Sequence, residues 1–233
     1  MKLSRRLQAI QNMVQKPYDH LWDCCCDHGY LGQSFLTERD KYSLGIVHLV
    51  DIVPALMNEV SARLNVELSA SETHGKWQVH CLDVAKLPIT STEYAKDASH
   101  LVIIAGVGGD LLVELIQAIE QNNRGCLIEF LLCPVHHNYK VRQALVARGF
   151  GLVNEQLVEE NKRFYEIIHV AKNSHEPLSL VGSDMWDLSR PADQRYLKET
   201  LAHYHRMKQN PAQQVNDVID AYTELLSAEP SKF

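Results

Sequence analysis

Several features that would place the chain in a familiar class are missing from its 233 residues. No apolar run reaches the roughly 18–20 residues that a membrane-spanning helix needs, so no membrane association is predicted. The N-terminal segment carries basic side chains but neither an apolar core nor a small-residue cleavage site, which argues against a signal peptide. Internal repeats and low-complexity segments are also missing. These absences predict a cytoplasmic protein with one large domain, or one domain and an appendage.

Metal-binding patterns are missing as well. The cysteines contain no C-x-x-C pair, and the histidines at 136–137 and 203–205 lack a third partner at ligand spacing, so no metal site is predicted. We interpret the cysteines as reduced, small buried residues, with a redox or metal role as the alternative. Because side chains alternate along a strand, Cys24 and Cys26 are expected on one face and Cys25 on the other. The six cysteines are Cys24, Cys25, Cys26, Cys81, Cys126 and Cys133.

A nucleic-acid-binding surface over the whole protein is disfavoured, because the net charge is −6. Local basic clusters nevertheless occur within residues 1–16, 138–148 and 195–210. The first two contain no acidic residue, and the third contains only Glu199. Such clusters can follow a phosphate backbone. For each cluster taken alone, a solvated helix face is the simpler interpretation.

Five short apolar segments predict the strands of a parallel sheet. They start about 25–30 residues apart with helical patterns between them, which is typical of right-handed βαβ units in a doubly wound sheet. A polar loop is predicted at 69–75. The predicted strands are 21–26, 44–52, 77–82, 101–105 and 127–133, and the predicted helices are 3–15, 30–39, 54–68, 110–121 and 138–148.

The last part of the chain changes character. Residues 152–159 and 165–171 predict two strands joined as a hairpin, which adds an antiparallel edge strand. Strand signals stop near Ser174, and residues 184–228 carry apolar stripes at helical spacing. Breaks at Pro191 and Pro211 predict a helical hairpin. We therefore divide the chain into domains at 1–173 and 174–233.

The stretch L-W-D-C-C-C-D-H-G-Y-L-G at residues 21–32 predicts a strand, a tight turn and the start of a helix. Nucleotide-type ligands bind at such turns in α/β sheets. Two carboxylates, Asp23 and Asp27, occupy the turn in place of a glycine repeat that could hold a pyrophosphate. Acids suit a ligand with hydroxyls, an amine or a positive charge. S-adenosylmethionine has all three groups.

Acidic residues also follow the next two predicted strands. Asp51 closes the second strand and Asp83 follows the third. The carboxyl ends of parallel strands form the usual ligand-binding edge of such sheets. Asp51 lies 24 residues after Asp27, which fits the spacing expected for a ribose-binding acid. The fourth strand leads directly into Gly106–Gly109, where glycines allow close approach by a flat ligand or base, with tight packing as the alternative.

Four motifs together resemble the TrmK family of bacterial tRNA (adenine(22)-N(1))-methyltransferases. The resemblance covers about residues 1–172, and the C-terminal helical, coiled-coil-like domain of that family matches residues 184–228 in kind. The motifs are L-S-R-R-L at Leu3–Leu7, D-x-x-x-D-H-x-Y-L at Asp23–Leu31, I-A-G-V-G-G at Ile104–Gly109 and R-x-Y-E at Arg163–Glu166.

The resemblance implies an α/β, class I S-adenosylmethionine-dependent methyltransferase fold, Rossmann-like with a seven-stranded sheet and a C-terminal helical hairpin. It implies S-adenosylmethionine as cofactor, tRNA as partner, and a monomer or weak homodimer. The implied cofactor contacts are Arg6, Asp23, Cys25, Asp27, Gly29, Asp51, Asp83, Val84 and Gly106. The implied substrate contacts are Gly108, Gly109, Lys140 and Arg142.

In the implied reaction, a ring nitrogen of adenine attacks the sulfonium methyl group. We predict that the Asp27 carboxylate stabilises the developing positive charge or takes a proton from the exocyclic amine, with His28 or Tyr30 orienting it or the base. The alternative is that Asp27 only holds the cofactor.

The chain departs from the family pattern D-I-G-S-D-H at one position, where Cys25 replaces the glycine. The β-carbon of Cys25 reduces the space in which the cofactor can approach the turn. Two other function classes stay open. One is a methyltransferase of the same fold acting on a small molecule or a protein, which the acidic net charge favours. The other is a non-catalytic RNA-binding relative, for which Cys25 is the only hint.

Overall fold

The architecture comes from a computed structural model that describes residues 2–68, 76–91, 94–95, 97–210 and 213–227. The loop predicted at 69–75 and the break predicted at Pro211 lie outside these residues. The strands are β1 (Tyr18–Cys24), β2 (Leu44–Asp51), β3 (Trp77–Cys81), β4 (Ser99–Ala105), β5 (Leu127–Cys133), β6 (Gly151–Glu160) and β7 (Arg163–Ala171). The helices are α1 (Arg5–Asn12), α2 (Tyr30–Thr37), α3 (Arg39–Tyr42), α4 (Pro54–Glu67), α5 (Gly109–Asn122), α6 (Asn138–Ala147), α7 (Pro191–Met207) and α8 (Asn216–Ser227).

The strands form one seven-stranded sheet in the order β3-β2-β1-β4-β5-β7-β6. β1 to β5 are parallel, whereas β7 runs antiparallel to both β5 and β6. The predicted class I methyltransferase fold and the late hairpin are therefore confirmed. The predicted antiparallel edge strand is wrong in its position, because the antiparallel strand β7 lies between β5 and β6, and the edge strand β6 runs parallel to β5. Strand order reverses between β1 and β4, so the crevice where ligands bind in such sheets lies at the carboxyl ends of these two strands.

Both faces of the sheet are covered by amphipathic helices. α1, α2 and α4 pack on one face, and α5 and α6 pack on the other. In α5 the apolar residues Leu112, Leu115, Ile116 and Ile119 follow the helical period and are all buried. Both faces of the parallel strands are buried, so their sequences read as apolar runs without polar alternation. These runs are what made the strands recognisable in the sequence.

The C-terminal helices α7 and α8 share a small apolar core that includes Val181, Leu197, Val218 and Tyr222. The helical region predicted from residue 184 begins later, at Pro191, which occupies the first turn of α7. Residues 183–185 instead donate backbone N–H groups to the Glu155 carboxylate. Within the described residues, no helix is both long and apolar enough to cross a membrane.

Four histidines cross the centre of the sheet, one each from β1 to β4; we name His20, His48, His80 and His100 the histidine chain. His20 Nδ1 lies 3.0 Å from His48 Nε2, and His48 Nδ1 lies 3.0 Å from His80 Nε2. His100 accepts a hydrogen bond of 3.2 Å from the indole N–H of Trp22. Because a neutral imidazole has one donor and one acceptor nitrogen, uncharged rings suit this arrangement.

Burial holds these rings neutral. It lowers the pKa of His48 to about 2, with the neighbouring histidines adding to the effect. It lowers the pKa of His100 to about 4, with Asp19 opposing the shift. The pKa values of His20 and His80 are also lowered by burial, and Asp19 opposes the shift of His20. The centroid of the Tyr94 ring lies 4.2 Å from that of His20, so Tyr94 covers the histidine chain at His20.

A second buried polar group joins the sheet to the C-terminal region; we name Arg142, Glu155, Glu166 and Tyr196 the Arg142 cluster. The Arg142 guanidinium forms ion pairs of 2.7 Å with Glu155 and 2.8 Å with Glu166. Its Nη1 donates to the Ser179 carbonyl, and the Tyr196 hydroxyl donates to Glu166 at 2.6 Å. Elements from β6, β7, α6 and α7 therefore meet at one guanidinium.

Candidate functional site

The turn after β1 folds back onto the end of β2. Cys25, Asp27 and Gly29 all have positive φ, at 54°, 51° and 66°. The Cys26 N–H donates to the Val50 carbonyl at 3.1 Å, and the Asp27 N–H donates to the Asp51 carboxylate at 3.0 Å. The turn therefore brings acidic residues of β1 and β2 together, as predicted from their positions at strand ends.

Three of these acids, which we name the carboxylate row, are Asp23, Asp51 and Asp83. Asp51 accepts hydrogen bonds from the N–H groups of Asp27 and Val53, which fix its orientation at the strand end. Asp83 accepts from the Ala85 N–H at 3.0 Å and caps a short 3-10 helix at Val84–Lys86. Both carboxylates retain oxygen lone pairs that can accept hydrogen bonds from ligand hydroxyls or amines.

Asp23 is the buried member of the row, with 4% of its surface exposed. It accepts a hydrogen bond of 2.7 Å from the Gly32 N–H, which ties β1 to the first turn of α2. Burial raises the pKa of Asp23 to about 7; the Gly32 hydrogen bond opposes this shift and the Asp51 charge adds to it. A positively charged ligand group beside Asp23 would favour the ionised carboxylate.

Cys25 lies among these acids, and its backbone adopts the left-handed conformation that normally favours glycine. Burial, followed by the charges of Asp51, Asp23 and Asp83, raises the pKa of its thiol to about 11. The thiol is therefore protonated near neutral pH and is a poor nucleophile. The predicted face alternation of the cysteines is wrong beyond Cys24, because β1 ends there: Cys24 and Cys25 pack in one core layer and Cys26 in the other.

The expectation that all cysteines are buried also fails at Cys81, which is exposed at the end of β3, whereas Cys24 and Cys133 are buried. Among the described residues, no group of three or more histidine, cysteine or acidic side chains is arranged to hold a metal ion.

Two glycines near the turn are explained by packing. A β-carbon at Gly29 would lie 2.7 Å from Leu49, and one at Gly32 would lie 2.9 Å from the same side chain. Their small size lets the start of α2 approach β2 closely. The cofactor contact predicted for Gly29 stays a prediction.

The glycine turn, Gly106–Gly109, has one open position. Gly106 has φ of 85°, and the nearest neighbour of an added β-carbon would be the Arg6 guanidinium at 3.8 Å. At Gly108 the corresponding neighbour is the His136 ring at 2.7 Å, and at Gly109 it is the His136 carbonyl at 2.7 Å. Close ligand approach is therefore available at Gly106, whereas the other two glycines accommodate the loop that follows β5.

Arg6 links the glycine turn to β7. Its guanidinium lies 4.8 Å from the centroid of the Tyr165 ring. Within the part of the chain that the structure describes, its Nε is buried and has no hydrogen-bond partner. A buried donor without a partner is costly, so this atom indicates a position where a ligand acceptor would fit.

The predicted catalytic residues lie together on the exposed rim of the first turn. Asp27 has 73% of its side chain exposed, and its carboxylate lies 3.8 Å from His28 Nε2. The rings of His28 and Tyr30 stack with centroids 5.6 Å apart. Arg63 lies over the Tyr30 ring and donates to the His28 carbonyl. The structure thus brings these three residues to one place beside α4, and their roles stay predictions.

The substrate role predicted for Arg142 is contradicted by its position. Its side chain is fully buried, and its charge is neutralised within the Arg142 cluster. The other two basic residues of the 138–148 cluster are also paired, Lys140 with Asp110 and Arg148 with Glu120 at 3.2 Å. Lys140 is exposed, so substrate contact by Lys140 stays a prediction.

A cavity of about 1160 Å³ lies between the β6–β7 turn, the start of α6 and the C-terminal helices. It reaches the loop after β5, where His136 covers Gly108. Sequence reasoning assigned His136 and His137 to the surface, and both are exposed. Their proximity to the glycine turn could not be read from the sequence, because it depends on the pairing of β4 with β5.

Comparisons with known proteins agree with this architecture. A family model described as a methyltransferase domain matches residues 3–168. The tRNA (adenine(22)-N(1))-methyltransferase of Bacillus subtilis (strain 168) is 27% identical over 169 residues, which is 72% of this chain and 64% of that protein. The chain thus matches less than two thirds of the length of this curated relative.

Solved structures are similar over nearly the whole chain. TrmK of M. capricolum, in complex with S-adenosyl-homocysteine, superposes with a TM-score of 0.74 at 16% identity, covering 97% of this chain and 99% of that one. The B. subtilis M1A22 tRNA methyltransferase TrmK superposes with a TM-score of 0.71 at 18% identity, covering 96% and 98%. At these identities the structural matches show a shared fold. The similarity that the sequence motifs indicated is confirmed.

Proposed function

The chain belongs to the methyltransferase domain family, and we propose that it transfers a methyl group from S-adenosylmethionine to N1 of an adenine in tRNA. The observation that carries the proposal is the carboxylate row at the ends of β1 to β3, which meets the open glycine turn at the point where strand order reverses. The similarity to a tRNA (adenine(22)-N(1))-methyltransferase supports the acceptor. The protein acts in the cytoplasm as a monomer or weak homodimer.

The residues present fit this cofactor. The buried Arg6 Nε, which has no hydrogen-bond partner in the described part of the chain, suits the cofactor carboxylate, and the Asp23 carboxyl suits the α-amine. Asp51 suits the ribose hydroxyls, and Asp83 with Val84 flanks the position of the adenine. Bound S-adenosylmethionine supplies an electrophilic methyl group on a sulfonium.

The protein's own contribution is positioning and electrostatics. The open backbone at Gly106 admits the acceptor base close to the cofactor side of the crevice. The Asp27 carboxylate stabilises positive charge on the base or accepts a proton, and His28 or Tyr30 orients the carboxylate or the base. Lys140 gives up its ion pair with Asp110 and contacts the RNA backbone. Arg142 has no part in RNA binding because it is buried.

The test is transfer of labelled methyl from S-adenosylmethionine to unmodified tRNA transcripts, with the product nucleoside identified. We expect 1-methyladenosine. Cofactor binding without transfer to tRNA would refute the acceptor and direct the search to small molecules or proteins. Failure to bind the cofactor would favour a non-catalytic RNA-binding protein.

Two variants assign roles within the site. Asp51→Ala should weaken cofactor binding about tenfold or more, because a charge-assisted hydrogen bond is lost. Asp220→Ala, an exposed acid on α8, is the matched control and should bind normally. Asp27→Asn should lower kcat by about 10²-fold or more if Asp27 acts on the base. A change in cofactor affinity with unchanged kcat would instead leave Asp27 as a cofactor ligand.

A further inference from the structure

The loop after β5 is held in one conformation against the start of α5. His137 has φ of 63°, a left-handed conformation that a residue with a β-carbon rarely adopts. Its Nδ1 lies 2.8 Å from the Asp110 carboxylate, and Lys140 pairs with the other oxygen of the same group. Backbone strain of this kind persists only where surrounding contacts enforce it, and it concentrates at functional sites.

This loop places an exposed imidazole directly over the glycine turn. A β-carbon at Gly108 would lie 2.7 Å from His136 Cε1 and 2.8 Å from Nε2, so the ring occupies the space that the glycine leaves open. The surface that the turn presents at Gly108 is therefore the His136 ring rather than bare backbone. The ring points its Cε1–Nε2 edge at Gly108, which leaves a ring face to contact a flat group that enters beside Gly106.

The same ring borders the 1160 Å³ cavity, whose walls carry other rings from β7, α6 and α7. Tyr165 on the cavity wall contacts Arg6, which lies next to Gly106. Arg6 and Tyr165 therefore lie between the cavity and the crevice of the proposed methyl transfer. The rings that line it include His136, Tyr139, Phe164, Tyr165, His203 and Tyr204.

The charges around the cavity nearly cancel. Its basic residues are Lys140, Lys162 and Arg163, and its acidic residues are Asp110, Glu199 and Asp217. Lys140 and Asp110 already pair with each other. A balanced lining gives little attraction for a phosphate backbone, whereas the exposed rings of His136 and His203 and the half-buried rings beside them suit the faces of unpaired bases.

We propose that this cavity binds an unpaired strand of the RNA substrate by base stacking, with the His136 ring as the stacking surface nearest the acceptor base. The proposal rests on the proposed function and specifies how its substrate is held. His136 is a substrate-binding residue that acts through its aromatic face. Unpaired nucleotides, rather than a continuous duplex, enter the cavity.

The experiment compares His136→Ala, His136→Phe and the control His175→Ala in steady-state methyl transfer to tRNA transcripts. His175 is exposed and lies outside the cavity. We expect His136→Ala to raise KM for tRNA about tenfold with the KM for S-adenosylmethionine unchanged, since one stacked base contributes about 1–3 kcal/mol. His136→Phe should restore KM to within about threefold of wild type, because it keeps an aromatic face. The increase in the KM for tRNA caused by His136→Ala should persist when the salt concentration is raised.

An unchanged KM for tRNA in His136→Ala would overturn the proposal. Failure of His136→Phe to restore it would also overturn stacking, because a ring nitrogen would then be the required feature. If the wild-type protein transfers no methyl group to tRNA, the proposed function fails by itself. Fluorescence anisotropy with a labelled single-stranded RNA oligonucleotide then tests whether the cavity binds RNA. Binding by His136→Ala about tenfold weaker than by the wild type supports the proposal, and equal binding refutes it.

Discussion

The histidine chain and the Arg142 cluster both bury polar side chains, but they satisfy them in different ways. The histidine chain joins four strands of one sheet through neutral rings: His20, His48 and His80 are linked by hydrogen bonds, and His100 accepts one from Trp22 and stacks on His20. The Arg142 cluster joins the sheet to the C-terminal region through one cation and two carboxylates. Neutral rings are the cheaper groups to bury, whereas the ion cluster depends on every partner being present.

The two regions also differ in how they respond to protons. Burial opposes the charge on Arg142, but Glu166 and Glu155 outweigh it and raise its pKa. Burial would raise the pKa of Glu155, but Arg142 and the backbone N–H groups of Ser183 and Asp184 together lower it. Arg142 and Glu155 therefore both favour their charged forms. The histidine chain, with lowered pKa values, is the acid-sensitive region.

The largest change in the free energy of unfolding is expected from breaking the Arg142 cluster. Arg142→Met should lower the free energy of unfolding by about 3–5 kcal/mol, because it leaves two carboxylates buried without their cation. Urea denaturation measures the change. Arg148→Met, which removes a partly exposed ion pair with Glu120, is the control and should cost less than about 1 kcal/mol apart from lost packing. Similar costs for both variants would contradict the distinction.

The next effect is a pH dependence that belongs to the histidine chain. The folded pKa values of His48 and His100 lie below the unfolded value of 6.5, so the unfolded state binds more protons in acid. Stability should be fully present above about pH 6.5 and fall by up to about 1.4 kcal/mol per pH unit for each histidine as the pH drops towards 4. Denaturation at several pH values measures this slope.

His48→Gln should flatten that slope, whereas His175→Gln, at an exposed position, should leave it unchanged. An equal slope in wild type and His48→Gln would show that the histidine chain is not its source.

Asp23 differs from both regions, because its buried carboxyl accepts a backbone N–H from Gly32 and, among the residues that the structure describes, forms no ion pair. Its folded pKa of about 7 lies above the unfolded value, so its contribution to stability is lost as pH rises towards 7. Asp23→Asn should therefore be more stable than wild type by about 2 kcal/mol at pH 8, with the difference shrinking towards pH 5. The same variant should bind S-adenosylmethionine more weakly. A constant difference across pH would mean that the carboxyl does not titrate as described.

The smallest effect is expected from removing one hydrogen bond at the edge of the Arg142 cluster. Tyr196→Phe removes the hydroxyl that donates to Glu166 but keeps the ring beside Phe164 and Trp186. The expected loss is about 1.5 kcal/mol, the usual contribution of a hydrogen bond to a charged acceptor. Urea denaturation against wild type measures it. A loss as large as that of Arg142→Met would mean that the cluster acts as one unit.

Sequence reasoning succeeded where the signal is local. Apolar runs located the parallel strands, and the D-H and glycine motifs located the first turn and the glycine turn. β1 begins earlier than predicted, at Tyr18, because its first residues are polar or aromatic rather than aliphatic. The strand-end acids were foreseen because parallel strands bring their carboxyl ends to one edge.

The rest depends on contacts between distant segments. Arg142 looked like part of a basic helix face, and its partners Glu155 and Glu166 become visible only when β6 and β7 pack beside α6. The histidine chain has one member in each of four strands, so only their pairing reveals it. His136 gained its position over Gly108 in the same way.

The position of β7 between β5 and β6 has a consequence for how the chain assembles during synthesis. β5 pairs with β4 on one side, and its other side stays an open, strongly apolar edge until Arg163–Ala171 has been made. β6 is made first but reaches the sheet only through β7, so the two strands join it together as a hairpin. A chain that lacks residues 163–171 therefore leaves this edge of β5 unpaired, and an unpaired strand edge favours aggregation.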